Sequence, residues 1–141
     1  DGMADVIWRK GTSGTVAVWL MNGMTITAVA FPGSASPEFV IAGVGDVNGD
    51  GKADLIWKNA TTGVVVGWLM NGATIDSSGI VGSLTSDRTI EQVGDTNGDG
   101  KADVVLMDQS TGVIEVWQMN GLTITSVGSP GTVSTGWEIQ D

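Results

Sequence analysis

The residues best suited to chemistry are the oxygen-bearing side chains of Gly45-Asp46-Val47-Asn48-Gly49-Asp50-Gly51-Lys52-Ala53-Asp54, a segment that returns nearly unchanged from Gly94 to Asp103. With Asp46 as position 1, the side chains of Asp46, Asn48, Asp50 and Asp54 fall at positions 1, 3, 5 and 9, and Gly51 falls at position 6. That spacing suits a hard cation that wants many oxygens at about 2.3–2.6 Å, which points to calcium, Ca2+. Asp46, Asn48, Asp50, Asp54 and the Lys52 carbonyl form one candidate ligand set; Asp95, Asn97, Asp99, Asp103 and the Lys101 carbonyl form the other. Gly at position 6 permits the sharp turn that would wrap the loop around an ion. Asp1 and Asp5 align with Asp50 and Asp54, so with the Met3 carbonyl they make the back half of a third loop. An EF-hand loop needs a bidentate acid at position 12. Trp57 and Leu106 stand there, which disfavours that fold.

Other chemistries find little material. The 141 residues contain no His and no Cys, which removes the commonest general base, the imidazole metal ligand, disulfides and thiolate sites. Sixteen acids against six bases give a net charge of −10, and Arg9 and Lys10 are the only adjacent bases. Nucleic acid and anionic membranes are therefore disfavoured partners, because phosphate contacts need clustered cations. Half of the acids lie in the loops, so two bound calcium ions would bring the charge to −6. The remaining acids are Glu38, Asp76, Asp87, Glu91, Asp108, Glu115, Glu138 and Asp141. None recurs in all repeats and none forms an evident catalytic pair, so they read as solvated surface and the chain as no enzyme. No apolar run approaches a membrane span.

The loops belong to a larger periodicity. Asp5, Asp54 and Asp103 stand at intervals of 49 residues, as do Trp19, Trp68 and Trp117 and the Met-Asn-Gly triplets that start at Met21, Met70 and Met119. One phase reads 1–43, 44–92 and 93–141, the first copy lacking the front of its loop. The chain is thus expected to be cut from a longer array, and a period of this size fits propeller blades. Each repeat reads as four strands: 53–58, a turn at 60–63, 64–70, a hairpin turn at Asn71-Gly72, 74–78, and 88–93. The segment 64–70 is apolar on both faces, which implies cover on both sides. No stripe of helical period appears. The tryptophans at 8, 19, 57, 68 and 117 read as core between blades, and Trp137 as exposed. The fold class is all-β, with the 49-residue repeats as β-propeller blades.

The loop DVNGDGKADLIW, the turn TTG and the strand ending WLMNG resemble FG-GAP/VCBS-type repeats, the calcium-loop blades also found in the integrin α-subunit head. The resemblance covers all three repeats. It implies that the calcium loop joins the first and second strands of a blade, with first strands at 39–44, 90–93 and 137–140. Three blades cannot close a ring at ordinary inter-blade angles, since propellers usually have four to eight. Two chains could form a six-bladed ring, or the blades could belong to a larger ring or an open array. Pairing of Trp137–Gln140 with Ala4–Arg9, in the same or another chain, would complete a blade.

The expected function is a non-enzymatic, extracellular calcium-binding repeat module, secreted or at a bacterial cell surface. It would serve structure, cell adhesion or assembly, with self-association through blade edges into a homo-oligomer or filament. Two alternatives are a carbohydrate-binding lectin with sites between blades and a non-catalytic propeller portion of a larger secreted enzyme. A glycan or protein ligand fits the first two readings.

Overall fold

β-Branched and aromatic residues between Gly-rich turns leave the chain little choice but strands. The computed structural model describes residues 3–134 and 136–140. Within them the chain forms eleven antiparallel strands in three meandering sheets, and no helix. The first sheet contains β1 (Val6–Arg9), β2 (Thr15–Asn22) and β3 (Thr25–Ser34) in that order. The second contains β4 (Phe39–Gly45), β5 (Asp54–Asn59), β6 (Val64–Asn71) and β7 (Thr74–Ser83), and the third β8 (Arg88–Gly94), β9 (Asp103–Asp108), β10 (Val113–Asn120) and β11 (Thr123–Thr132). Each four-stranded sheet therefore starts before the acidic loop and carries that loop between its first two strands.

The sheets stack as blades. Val65 and Ile56 of the second sheet join Val104, Leu106, Trp117 and Met119 of the third in one apolar cluster. On the opposite face Leu55, Trp57, Trp68 and Met70 join Val16 and Ile7 of the first sheet in another. β6 is thus covered on both sides, as its unbroken apolar run demands. Close approach needs small residues at the joints. A methyl group added at Gly43 would sit 2.2 Å from Val93 Cγ2, and one at Gly67 would sit 2.5 Å from Leu122 Cδ2.

Two kinds of turn set the register. The loop after β5 is held by the Asn59 side chain, whose Oδ1 accepts the N–H groups of Thr61 and Thr62, both at 2.9 Å. Asp108 does the same after β9, accepting from Ser110 and Thr111. At the hairpin between β6 and β7, Asn71 pairs with Thr74, so Gly72 and Ala73 are the central residues. Only Gly72 has positive φ, at 60°. This is the pattern of a type II′ turn, with Gly leading, rather than one that puts both Asn71 and Gly72 at φ > 0.

Three expectations are revised. Residues 137–140 form no strand, because a strand persists only with a ladder partner and, among the described residues, β1 pairs only with β2. The outer strands are longer than expected, with β7 reaching Ser83. Trp57, Trp68 and Trp117 are core, but Trp8 is 49% exposed on the outward face of the first sheet. Trp137 is exposed, as expected.

Two outcomes follow from these contacts. Gly43→Val should lower stability by about 2–3 kcal/mol through overpacking against Val93, read as a shift in the urea midpoint. The Ser110 hydroxyl and then the Thr111 N–H hold the Asp108 carboxyl down from its ordinary 3.8 to about 2. Its folded value lies below its unfolded value, so its contribution to stability is complete above pH 3.8 and lost as pH falls toward 2. A carboxyl chemical-shift titration should place Asp108 near 2, and Asp108→Asn should remove that part of the acid dependence while keeping the turn.

Candidate metal centre

The acidic loops are folded by their own side chains. In the first, Asp46 Oδ1 accepts the N–H of Gly49 at 2.6 Å and of Asp50 at 3.1 Å, and Oδ2 accepts that of Gly51 at 2.7 Å. Asn48 Oδ1 accepts from Asp50 N–H at 2.9 Å, and Asp50 Oδ1 from Lys52 N–H at 2.9 Å. Gly49 and Gly51 supply the left-handed turns, at φ 79° and 82°. The second loop repeats this almost bond for bond through Asp95, Asn97 and Asp99. There the Gly100 N–H, followed by those of Gly98, Asn97 and Asp99, holds the Asp95 carboxyl below its ordinary range.

Position 9 is different in kind. Asp54 and Asp103 are fully buried. Asp54 Oδ2 accepts Val47 N–H at 3.0 Å and its Oδ1 accepts Met70 N–H at 2.8 Å. Asp103 accepts from Thr96 and, at 3.0 Å, from Met119 N–H, and Asp5 from Met21 N–H at 2.9 Å. The ladder between β5 and β6 ends at the Leu55–Trp68 pair, and just beyond it the Met70 N–H is met by the Asp54 side chain. The periodic Asp and the periodic Met-Asn-Gly triplet are therefore one device, which sequence spacing recorded without revealing the contact. Burial, helped by the nearby Asp50 and Asp46 charges and opposed by the two N–H bonds, holds the Asp54 carboxyl above its ordinary value.

The donor set fits a hard cation in chemistry: every side-chain donor is an oxygen, and each of these oxygens has two lone pairs to share. Among the described residues no three acids are drawn together into a ready cage. The Lys52 ammonium stands 3.7 Å from Asp50 Oδ2, where it offsets part of the loop's charge. Asp1 lies outside the described residues, so of the acids in the half-loop only Asp5 can be placed.

The first loop also grips its neighbour. The Asp46 carbonyl accepts Ala102 N–H at 2.6 Å and the Val47 carbonyl accepts Gly121 N–H at 2.8 Å, both from the third blade. Val47 itself is fully buried in the joint. Sequence reading missed Val47 and Ala102, since neither carries a functional group; only their place inside an otherwise polar loop marked them. Outside the loops, Glu115 is not plain surface. It pairs with Arg88 at 2.7 Å and accepts the Trp117 indole N–H at 2.8 Å. Glu91 likewise bonds Thr89 and Gln109.

Asp54→Ala should cost about 2–4 kcal/mol, because two buried N–H groups lose their acceptor. Asp54→Asn, which keeps one acceptor oxygen, should cost less; denaturant midpoints in chelator would rank the two.

The FG-GAP-like repeat family matches residues 1–57. Searches of curated proteins and of solved structures each return no match. FG-GAP repeats are propeller-type modules typical of extracellular domains, and among the described residues no helix is long and apolar enough to cross a membrane. The match spans less than half of the chain; the strand order and the acidic loop found within it recur beyond residue 57, in the second and third sheets.

Proposed function

We propose that the chain is a non-enzymatic, extracellular structural or adhesive module whose blades are pinned together by calcium in the acidic loops. The observation that carries this reading is the double role of the first loop. Its own N–H groups gather the side-chain oxygens of Asp46, Asn48 and Asp50, while its Asp46 and Val47 carbonyls hold the next blade. Asp46, Asn48, Asp50, the Lys52 carbonyl and Asp54 would hold one ion, and Asp95, Asn97, Asp99, the Lys101 carbonyl and Asp103 the other. Small side-chain rotations in the exposed loop would complete the shell. A bound ion neutralises the repulsion among these acids and stiffens the loop, and through its carbonyls the joint between blades.

Three carboxylates and one amide on a surface loop imply a Kd of roughly 10⁻⁴ M, typical of extracellular modules. At millimolar calcium each site then adds about 1.5 kcal/mol of stability by mass action. Cytosolic calcium would leave it empty, which supports the extracellular setting. No reaction is placed on the chain: Glu115 and Glu91 are already engaged by neighbours, and no His is present to activate a hydroxyl.

A second reading, a lectin with a site between blades, is favoured by one specific feature. A pocket of about 220 Å³ lies between the first two blades, lined by Ser34, Ser36, Phe39, Trp57 and Trp68. The Trp57 Nε1, buried at this joint, has no hydrogen-bond partner. A sugar hydroxyl that reached this joint could accept from it.

Melting in calcium and in chelator tests the first reading. The wild type should melt several degrees higher in calcium, and Asp50→Ala should lose most of that gain while hardly changing in chelator. Equal loss in both would remove Asp50 from the metal site. A glycan array in calcium tests the second: reproducible hits that vanish with Trp57→Phe would make the chain a lectin.

A further inference from the structure

We propose that the two acidic loops take their ions as a coupled pair, so that filling either site strengthens the other. The coupling rests on the calcium reading above and adds how its two sites act on each other. The loops lie against one another. A Cβ built on Gly49 of the first loop would stand 3.3 Å from Lys101 Cγ and 3.5 Å from the Gly100 carbonyl oxygen of the second. The closer link is a peptide unit that serves both loops. At one end of the peptide between Lys101 and Ala102 is the Lys101 carbonyl, a ligand position of the second site. At its other end is the Ala102 N–H, which donates to the Asp46 carbonyl at 2.6 Å. That carbonyl belongs to the peptide between Asp46 and Val47, whose own N–H donates to Asp54 Oδ2 at 3.0 Å. Two peptide planes joined by one hydrogen bond therefore run from a ligand position of the second site to a ligand position of the first.

A second path runs beside the first. The Val47 carbonyl accepts the Gly121 N–H at 2.8 Å. Gly121 stands two residues after Met119, whose N–H donates to Asp103 Oδ1 at 3.0 Å. Val47 thus meets the buried carboxylate of its own site with its N–H. With its carbonyl it meets the strand end that anchors the buried carboxylate of the other site.

These links are stiff where the ligand residues are not. Val47 and Ala102 are buried, so water does not compete for the bond between their peptides, whereas Asp50 and Asp99 are exposed. A peptide is planar, so fixing the Ala102 N–H on Asp46 also fixes the direction of the Lys101 carbonyl. Asp46 is itself position 1 of the first site. A filled first site holds Asp46 and, through it, aims the Lys101 carbonyl. A filled second site holds that carbonyl and, through it, Asp46. The ordering cost of the joint then falls on the first ion alone, which is positive coupling without a change of fold, and the coupling is reciprocal. Repulsion between the two cations works against it. That field fades over about 8 Å at physiological ionic strength, while the hydrogen-bonded path does not depend on salt.

Calorimetric calcium titration of the chain tests this beside Asp50→Asn and Asp99→Asn. Each substitution weakens its own site by removing a charge, and each keeps the side-chain oxygen that holds the turn. The wild type should bind two ions, and each variant one ion over the range that fills its remaining site. The constant for loading both wild-type sites should be about fivefold tighter than the product of the two single-site constants. Because each variant lacks a charge, the factor should be measured at about 0.15 M and about 0.5 M salt, and it should persist at both. Amide hydrogen exchange gives an independent readout. Calcium added to Asp50→Asn should slow exchange at Val47, in the unfilled loop, and calcium added to Asp99→Asn should slow it at Ala102 and Gly121. Two ions bound independently, a second ion bound more weakly, a factor that vanishes at the higher salt, or protection confined to the filled loop would overturn the coupling and leave the calcium reading standing. A chain that binds no ion would overturn both.

Discussion

The structure depends on a carboxylate at the same place in each blade, buried in the second and third blades and exposed in the first. Asp54 receives the Val47 N–H from the loop before it and the Met70 N–H from two strands away, and Val47 passes its carbonyl to Gly121 of the next blade. One side chain therefore ties loop, second strand, third strand and neighbouring blade into a continuous line of hydrogen bonds. Burying a carboxylate is costly unless its oxygens are met, and here both are. Asp103 repeats the anchor in the third blade, and Asp5 repeats its bond to the Met-Asn-Gly strand in the first. A carboxylate suits the place because backbone N–H groups converge there from two directions, and a bound cation would add a third partner to the same oxygens.

Around this anchor the blades differ where they touch. Gly67 in the second blade leaves room for Leu122, whereas the equivalent residue of the first blade is Val18 and its neighbour's knob is only Ala73. Volume is traded across each joint, as close packing requires. At the two outward faces the exchange stops. Large apolar groups stand exposed on one side, and open glycine notches and a few polar replacements stand on the other.

Much of this was legible in the chain. The strict interval between Asp5, Asp54 and Asp103 gave the repeat, the acidic loop gave the first hairpin of each blade, and the run from Val64 to Met70 announced a strand covered on both faces. These signals are local, or periodic, and a single sequence displays them directly. Position 9 was read as one more oxygen for a cation; the structure adds that it is buried and saturated by backbone donors. No pattern could show that, since the donor from Met70 comes from a different strand, beyond the end of its ladder with β5.

The sequence by itself determined most of the strands, their antiparallel order, the acidic loops and the three repeats, because turn residues, side-chain alternation and repeat spacing act within a few dozen residues. Only the tertiary structure decided which tryptophans are core. Trp8 and Trp57 share a motif and a position in the repeat, yet one is half exposed and the other buried. The difference is the presence of a neighbouring blade. Burial belongs to the packed pair rather than to the residue, so similar sequence acquires different surroundings in an outer and in a middle blade.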